Sequence, residues 1–167
     1  MRKGLALVLV AGLAVTTAMA QSNPAPAGTA GGAGAASLAD NALYVVGNLG
    51  STQLYYTYLM LGMIGDSFAK GVYDKPTAIS LADEVKNLTT LSQKSLGRLN
   101  GNEGLNSDDK TLISDMSNAF DALLGQADGL NDYVNGKDDG TKFQTYRQTA
   151  WDQISKIIGI KGTNQTP

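Results

Sequence analysis

The chain has 167 residues, with 13 Lys and Arg, 15 Asp and Glu, and a formal charge of −2 at pH 7. It contains no histidine and no cysteine, which excludes disulfides, Cys-x-x-Cys-His haem attachment and the Glu-x-x-His ligands of di-iron bundles. The mild acidity argues against a nucleic-acid partner, because nucleic-acid binding requires a basic patch. We therefore predict no metal and no cofactor.

The first twenty residues have the pattern of a bacterial secretory signal peptide. Arg2 and Lys3 form a basic start, residues 4–17 are apolar, and residues 18–20 (Ala-Met-Ala) form a small-residue cleavage site. We predict cleavage after Ala20 and a mature protein in the periplasm or outside the cell. Cleavage removes two of the 13 basic residues, so that 11 remain against 15 acidic ones and the formal charge becomes −4.

A low-complexity segment separates this signal from the rest of the chain. Residues 21–36 are almost entirely Gly, Ala, Pro and small polar residues, and such a composition cannot bury enough apolar surface to fold. We predict that they form a flexible tether. The folded domain is then expected over residues 37–161, and residues 162–167 are expected to fray.

Four helical segments are predicted within this domain. Their apolar residues recur every three or four positions, and no segment shows sustained alternation with period two. Amphipathic helices joined by short connections favour an all-α, antiparallel up-down-up-down four-helix bundle, here with a long first helix. The predicted helices cover about 38–72, 76–100, 108–135 and 139–158, with starts or stops at Asp74 or Lys75, Asn100, Ser107 and Asn135.

The first helix contains an uncharged run of 25 residues, Asn41 to Gly65, between Asp40 and Asp66. At 100° per residue its apolar residues fall into two stripes, which together cover over half of the circumference. We predict that the first stripe faces the bundle interior: Leu38, Ala42, Val45, Leu49, Thr52, Tyr56, Met60 and Met63. The second stripe, roughly 120° around the helix, includes Leu43, Gly50, Leu54, Leu61 and Phe68.

The remaining arc of this helix is also uncharged and is rich in glycine, serine and tyrosine. Small residues allow close backbone approach and tyrosine is enriched in interfaces, which favours self-association through this arc. Alternatively, the first helix is the central, most buried helix of the bundle. Asn48, Thr52 and Gln53 in the middle of the run argue against integral membrane insertion. The predicted interface residues are Tyr44, Gly47, Ser51, Tyr55, Tyr58, Gly62 and Gly65.

No complete set of catalytic motifs is present in the sequence. Without histidine no serine or threonine can be activated in the usual way, and no Gly-x-Ser-x-Gly motif occurs. Ser-x-x-Lys occurs twice, from Ser67 to Lys70 and from Ser107 to Lys110, but without the Ser-Asp-Asn and Lys-Thr-Gly motifs that accompany it in Ser-Lys enzymes. We predict a non-enzymatic exported protein that acts through protein contacts, either as a homo-oligomer or with an unidentified exported protein. The alternative is a small-ligand-binding or sensory module with a Tyr- and Trp-lined site between helices. Its predicted lining is Tyr56, Met60, Met63 and Trp151.

Overall fold

A computed structural model describes residues 38–100 and 104–160. These ranges form four helices and contain no strand, which confirms the predicted all-α bundle. The predicted signal peptide, tether and C-terminal segment lie outside the described residues. The helices are α1 Leu38–Ala69, α2 Lys75–Asn100, α3 Ser107–Val134 and α4 Thr141–Ile157.

In the connection between α1 and α2, a glycine ends the first helix and an aspartate caps the second. α1 ends three residues before the predicted Val72, because Gly71 adopts a φ of 69° that ends the helix. Its amide donates to the carbonyl of Phe68 at 2.9 Å. At the start of α2 the carboxylate of Asp74 accepts from the Thr77 amide at 2.9 Å, as expected for an N-cap.

The N-cap of α3 is Asn106 rather than the predicted Ser107. The Asn106 side-chain oxygen accepts from the amides of Asp108 and Asp109, each at 2.9 Å. The Asp109 carboxylate in turn accepts from the Asn106 amide at 3.4 Å, so the two residues form a capping box. The carboxylates of the first turn also complement the positive end of the helix dipole.

α4 begins two residues later than predicted. Gly140 has a φ of 98°, which an L-residue rarely adopts, and helical geometry starts at Thr141. The two preceding aspartates act as caps, since Asp139 accepts from the Thr141 amide at 3.0 Å and Asp138 from the Lys142 amide at 3.1 Å.

Paired contacts fix the directions of the neighbouring helices. Between α2 and α3, Lys86 pairs with Asp128 and Gln93 with Asp121. Between α3 and α4, Lys142 near the start of α4 pairs with Asp132 near the end of α3, and the later Lys156 pairs with the earlier Asp115. Residue numbers rise in one helix as they fall in the other, so both pairs are antiparallel. At the level of Arg147 and Asp66, α4 also contacts α1.

The most buried helix among the described residues is α3, not α1. It carries buried residues along almost its whole length, and they form the centre of the core with residues from the other three helices. From α1, the fully buried large apolar side chains are Leu54 and Leu61, together with Ile64 at 2% exposure. The hypothesis that α1 is the central helix is therefore wrong.

The predicted inward stripe of α1 faces the opposite way. Every described member of that stripe is exposed, namely Ala42, Val45, Leu49, Thr52, Tyr56, Met60 and Met63. The second stripe, with Leu54 and Leu61, faces α3 instead. The physical reason is that a large side chain of α3 or α4 occupies the space beside several α1 glycines on that side, so α1 packs closely only with its glycine-bearing side inward.

Candidate functional site

The predicted self-association arc contacts other helices of the same chain at several positions. Gly62 and Gly65 are buried. A Cβ atom on Gly62 would be 3.0 Å from an Nη atom of Arg147, and one on Gly65 would be 2.8 Å from the Phe143 ring. Three of the seven residues of the arc, Tyr58, Gly62 and Gly65, thus contact α4, and Gly47 lies near Leu112 of α3.

The tyrosines of the same arc differ in how far they are buried. Tyr58 is half-buried, with its ring centroid 5.4 Å from that of Trp151 and the Arg147 guanidinium 5.9 Å above its ring. Tyr55, Gly47 and Ser51 are also half-buried, and Ser51 donates to the carbonyl of Gly47. Only Tyr44 of the predicted set is widely exposed. Tyr55 and Tyr58 therefore pack against the core of the same chain, whereas Tyr44 does not.

The alternative pocket predicted from the sequence does not come together. Tyr56 and Met63 are 61% and 58% exposed, and Met60 is exposed too. They lie on the outer side of α1, whereas Trp151 packs on Tyr58 at the α4 side. A site between helices that uses all four residues is therefore contradicted by their orientations.

The most unusual surface of the described chain is the outer face of α1. Large apolar side chains project there at spacings of three and four residues, which places them on one side of a helix. Leu49 is the most exposed, at 66%. No charged residue interrupts the face, because the uncharged run extends from 41 to 65. We call this face the outer stripe: Val45, Leu49, Tyr56, Leu59, Met60 and Met63.

Beside the outer stripe lies an open groove between α1 and α2. It encloses about 460 Å³ and reaches down to Met116 and Phe120 of α3. Thr52 and Gln53 form part of its α1 wall. The α2 wall is Ser92, Ser95, Leu96 and Leu99. The groove is largely apolar with a few hydroxyl and amide groups, a composition compatible with protein side chains or a small ligand.

Shifted pKa values in the described residues trace to helix caps and ion pairs. The pKa of Asp132 is lowered mainly by a hydrogen bond from Lys142, at 2.6 Å, which also raises the pKa of Lys142. Hydrogen bonds from Thr77 lower the pKa of Asp74, and those from Thr141 lower the pKa of Asp139. All four groups stabilise helix ends or the α3–α4 contact, so their shifts have a structural explanation.

One buried polar side chain stands apart from these surface groups. Gln126 of α3 has no exposed surface, and neither its amide nitrogen nor its oxygen has a hydrogen-bond partner in the described structure. Burying an amide in this way costs free energy. The sequence pattern did not single out this residue, because a lone glutamine in an amphipathic helix is usually on the outer face.

The described residues offer neither a cluster of metal ligands nor a helix that could cross a membrane. Across residues 38–100 and 104–160, no three His, Cys, Asp or Glu side chains are grouped so that they could hold a metal ion. None of the helices within those ranges combines the length and hydropathy needed to cross a membrane. Comparisons with models of protein families, with curated proteins and with solved structures found no match to this chain.

Proposed function

We propose that this protein is a non-enzymatic exported protein that acts through protein–protein contacts and associates with itself through the outer stripe of α1. The observation that carries the proposal is the exposure of six large apolar side chains on one uncharged helical face. Soluble monomers rarely expose a contiguous apolar patch larger than a few hundred Å². Such a patch usually marks an interaction surface.

The residue types of the outer stripe support this role. Tyrosine and methionine are enriched in protein interfaces, and charged residues are depleted from the interface core. Tyr56, Met60 and Met63 lie together in the C-terminal half of the stripe. Contacts within the chain already occupy Gly62 and Gly65 on the opposite side, so the outer stripe is the side of α1 that remains open to a partner.

Measuring the mass of residues 21–167 in solution, by light scattering or sedimentation, tests the proposal. We expect a dimer or larger assembly at high micromolar concentration, and a shift toward monomer in Leu49→Glu and Met63→Glu. Val72→Glu is the matched control, because Val72 is 69% exposed but lies in the turn after α1. A strictly monomeric wild type, or stripe variants that associate normally, would overturn the proposal.

The groove between α1 and α2 supports a second candidate function, the binding of a small apolar ligand. Its volume of about 460 Å³ lies in the range of known ligand sites. An environment-sensitive naphthalene dye should then bind the folded protein, and Ser95→Trp should block binding by filling the groove. Unchanged dye fluorescence in folded wild-type protein would count against this function.

A further inference from the structure

α2 extends the outer stripe with a second row of exposed apolar residues. Leu88 and Leu91 are 53% and 62% exposed. They are three residues apart, and Ser95 follows four residues after Leu91, so all three lie on the same side of α2. Ser95 lines the groove to α1, which places this row beside the outer stripe. We call the combined surface the α1–α2 face.

The row on α2 is acidic at one end and basic at the other, where Lys94, an exposed residue three positions after Leu91, lies beside it. Glu84 precedes Leu88 by four residues, and Arg98 follows Ser95 by three, so both charges share the side of the apolar row. Each charge is seven residues from Leu91, and about 21 Å separates them along the helix at 1.5 Å per residue. Both residues are exposed, and neither is in an ion pair with another residue of the described ranges.

The part of this face on α1 and the part on α2 each have a midpoint, and the two midpoints lie at the same level of the bundle. On α2 the midpoint is Leu91, halfway between Glu84 and Arg98. The midpoint of the uncharged run from 41 to 65 is Gln53. Gln53 lines the groove together with Ser92, the residue after Leu91. A surface whose two rows share one midpoint can be matched to a copy of itself by a two-fold rotation about an axis through that midpoint.

We infer that the α1–α2 face binds a second copy of this chain around a two-fold axis perpendicular to the helices. This inference rests on the proposed self-association and specifies its geometry. α1 faces the partner's α1 and α2 faces the partner's α2, both antiparallel. Glu84 then lies opposite Arg98 of the partner subunit, and the same pair forms again at the other end, as a two-fold interface requires.

The available area fits such a dimer. A Leu, Met or Tyr side chain that is about half exposed leaves roughly 100 Å² in water. Six residues of the outer stripe with Leu88 and Leu91 therefore offer about 800 Å² on each copy, which is the share of one partner in a protein interface of standard size. Asp66 is the first charge after the uncharged run. It is paired with Arg147 at 3.3 Å, so its charge already has a partner within the same chain.

Charge exchange tests this geometry directly. Glu84→Arg and Arg98→Glu each place like charges together at both ends of a homodimer, and we expect each to weaken dimerisation about tenfold or more at low salt. A mixture of the two single variants restores opposite charges at both ends, so heterodimers should form with near wild-type affinity. The double variant should regain homodimerisation as well. Lys110→Glu, an exposed charge change on α3, is the control.

An introduced cysteine provides the second measurement, because the chain has none of its own. Leu91→Cys should cross-link rapidly in the dimer, since residue 91 meets its own counterpart near the axis. Single charge variants that dimerise normally, or a mixture that does not form heterodimers, would overturn the inference, as would slow cross-linking at position 91. If the outer-stripe variants still disrupted the dimer in those cases, the proposed function would stand. A strictly monomeric wild-type protein would overturn both the inferred dimer geometry and the proposed self-association.

Discussion

Gly129 of α3 lies directly against the backbone of Phe143 in the first turn of α4: a Cβ atom on Gly129 would be 2.7 Å from the Phe143 amide nitrogen. The two helices therefore pack at backbone contact at this level. Backbone cannot move aside as a flexible side chain can, so any side chain on residue 129 must push α4 outward.

We expect Gly129→Ala to lower the free energy of unfolding by about 2 kcal/mol because of this overpacking. The control is Gly97→Ala in α2, where an added Cβ meets no atom within 4 Å. That change should raise stability by about 0.5–1 kcal/mol, since alanine is the better helix former. Urea denaturation measures both effects, and equal stability of Gly129→Ala and wild type would contradict the close packing.

A substitution of the buried Gln126 should stabilise the protein. Its two amide atoms lack partners in the described structure, and a buried unsatisfied polar group costs about 1–3 kcal/mol. We expect Gln126→Met to raise the free energy of unfolding by about 1 kcal/mol, measured by urea denaturation. Gln144→Met, at an exposed site on α4, should change it by less than about 0.5 kcal/mol. If Gln126→Met destabilised the protein and Gln144→Met did not, the prediction would be wrong and the Gln126 amide would make a stabilising contact.

The capping box of α3 gives a third prediction. Asn106→Ala removes the acceptor of two backbone amides and should cost about 1 kcal/mol of stability. The matched variant Asn118→Ala lies at an exposed position within the same helix and should have little effect or a slightly favourable one. Thermal unfolding followed by circular dichroism distinguishes them; a lower midpoint for Asn118→Ala than for Asn106→Ala would be inconsistent with the cap.

The ion pair between Asp132 and Lys142 should make stability fall at both pH extremes. Because the folded pKa of Asp132 is below the usual 3.8, its contribution is complete above 3.8 and is lost as pH falls through the lowered pKa. The folded pKa of Lys142 is above the usual 10.5, so its contribution is complete below 10.5 and is lost as pH rises through the raised pKa.

Lys142→Met should therefore flatten both ends of the stability profile relative to wild type. The profile is measured as the urea midpoint against pH, with Lys110→Met as the control for loss of an exposed lysine. Asp74 and Asp139, whose pKa values are also lowered, will maintain part of the acid-side fall. Identical profiles for Lys142→Met and wild type would mean that the pair contributes nothing to folding.

Much of the fold could be predicted because helix boundaries depend on local residues. Asp74 and Asn135 act within a few residues of themselves, and the sequence correctly places the start of α2 and the end of α3 beside them. The stop at Gly71 differs from the predicted end of α1 by three residues. The cap at Asn106 was missed by one position because Ser107 is an equally good cap by residue type. Only the backbone geometry distinguishes the two.

The orientation of α1 could not be predicted from its hydrophobic pattern. Both of its stripes are apolar, and the stripe with more large side chains was wrongly predicted to face inward. The choice depends on partners distant in sequence, since Met116 and Phe143 occupy the space beside Gly50 and Gly65. The available signal was the glycines themselves, because glycine on one side of a helix permits close approach there. That orientation also decides which residues remain open to a partner.

The uncharged run of α1 has a consequence for how copies of the chain meet. The chain carries a net negative charge, while α1 is neutral between Asp40 and Asp66. Two approaching molecules repel each other least when their neutral sides face, so long-range electrostatics favours that mutual orientation before any contact forms. Added salt screens the repulsion between the other surfaces. The electrostatic preference for the neutral sides to face each other should therefore be strongest at low ionic strength and weaken as ionic strength rises.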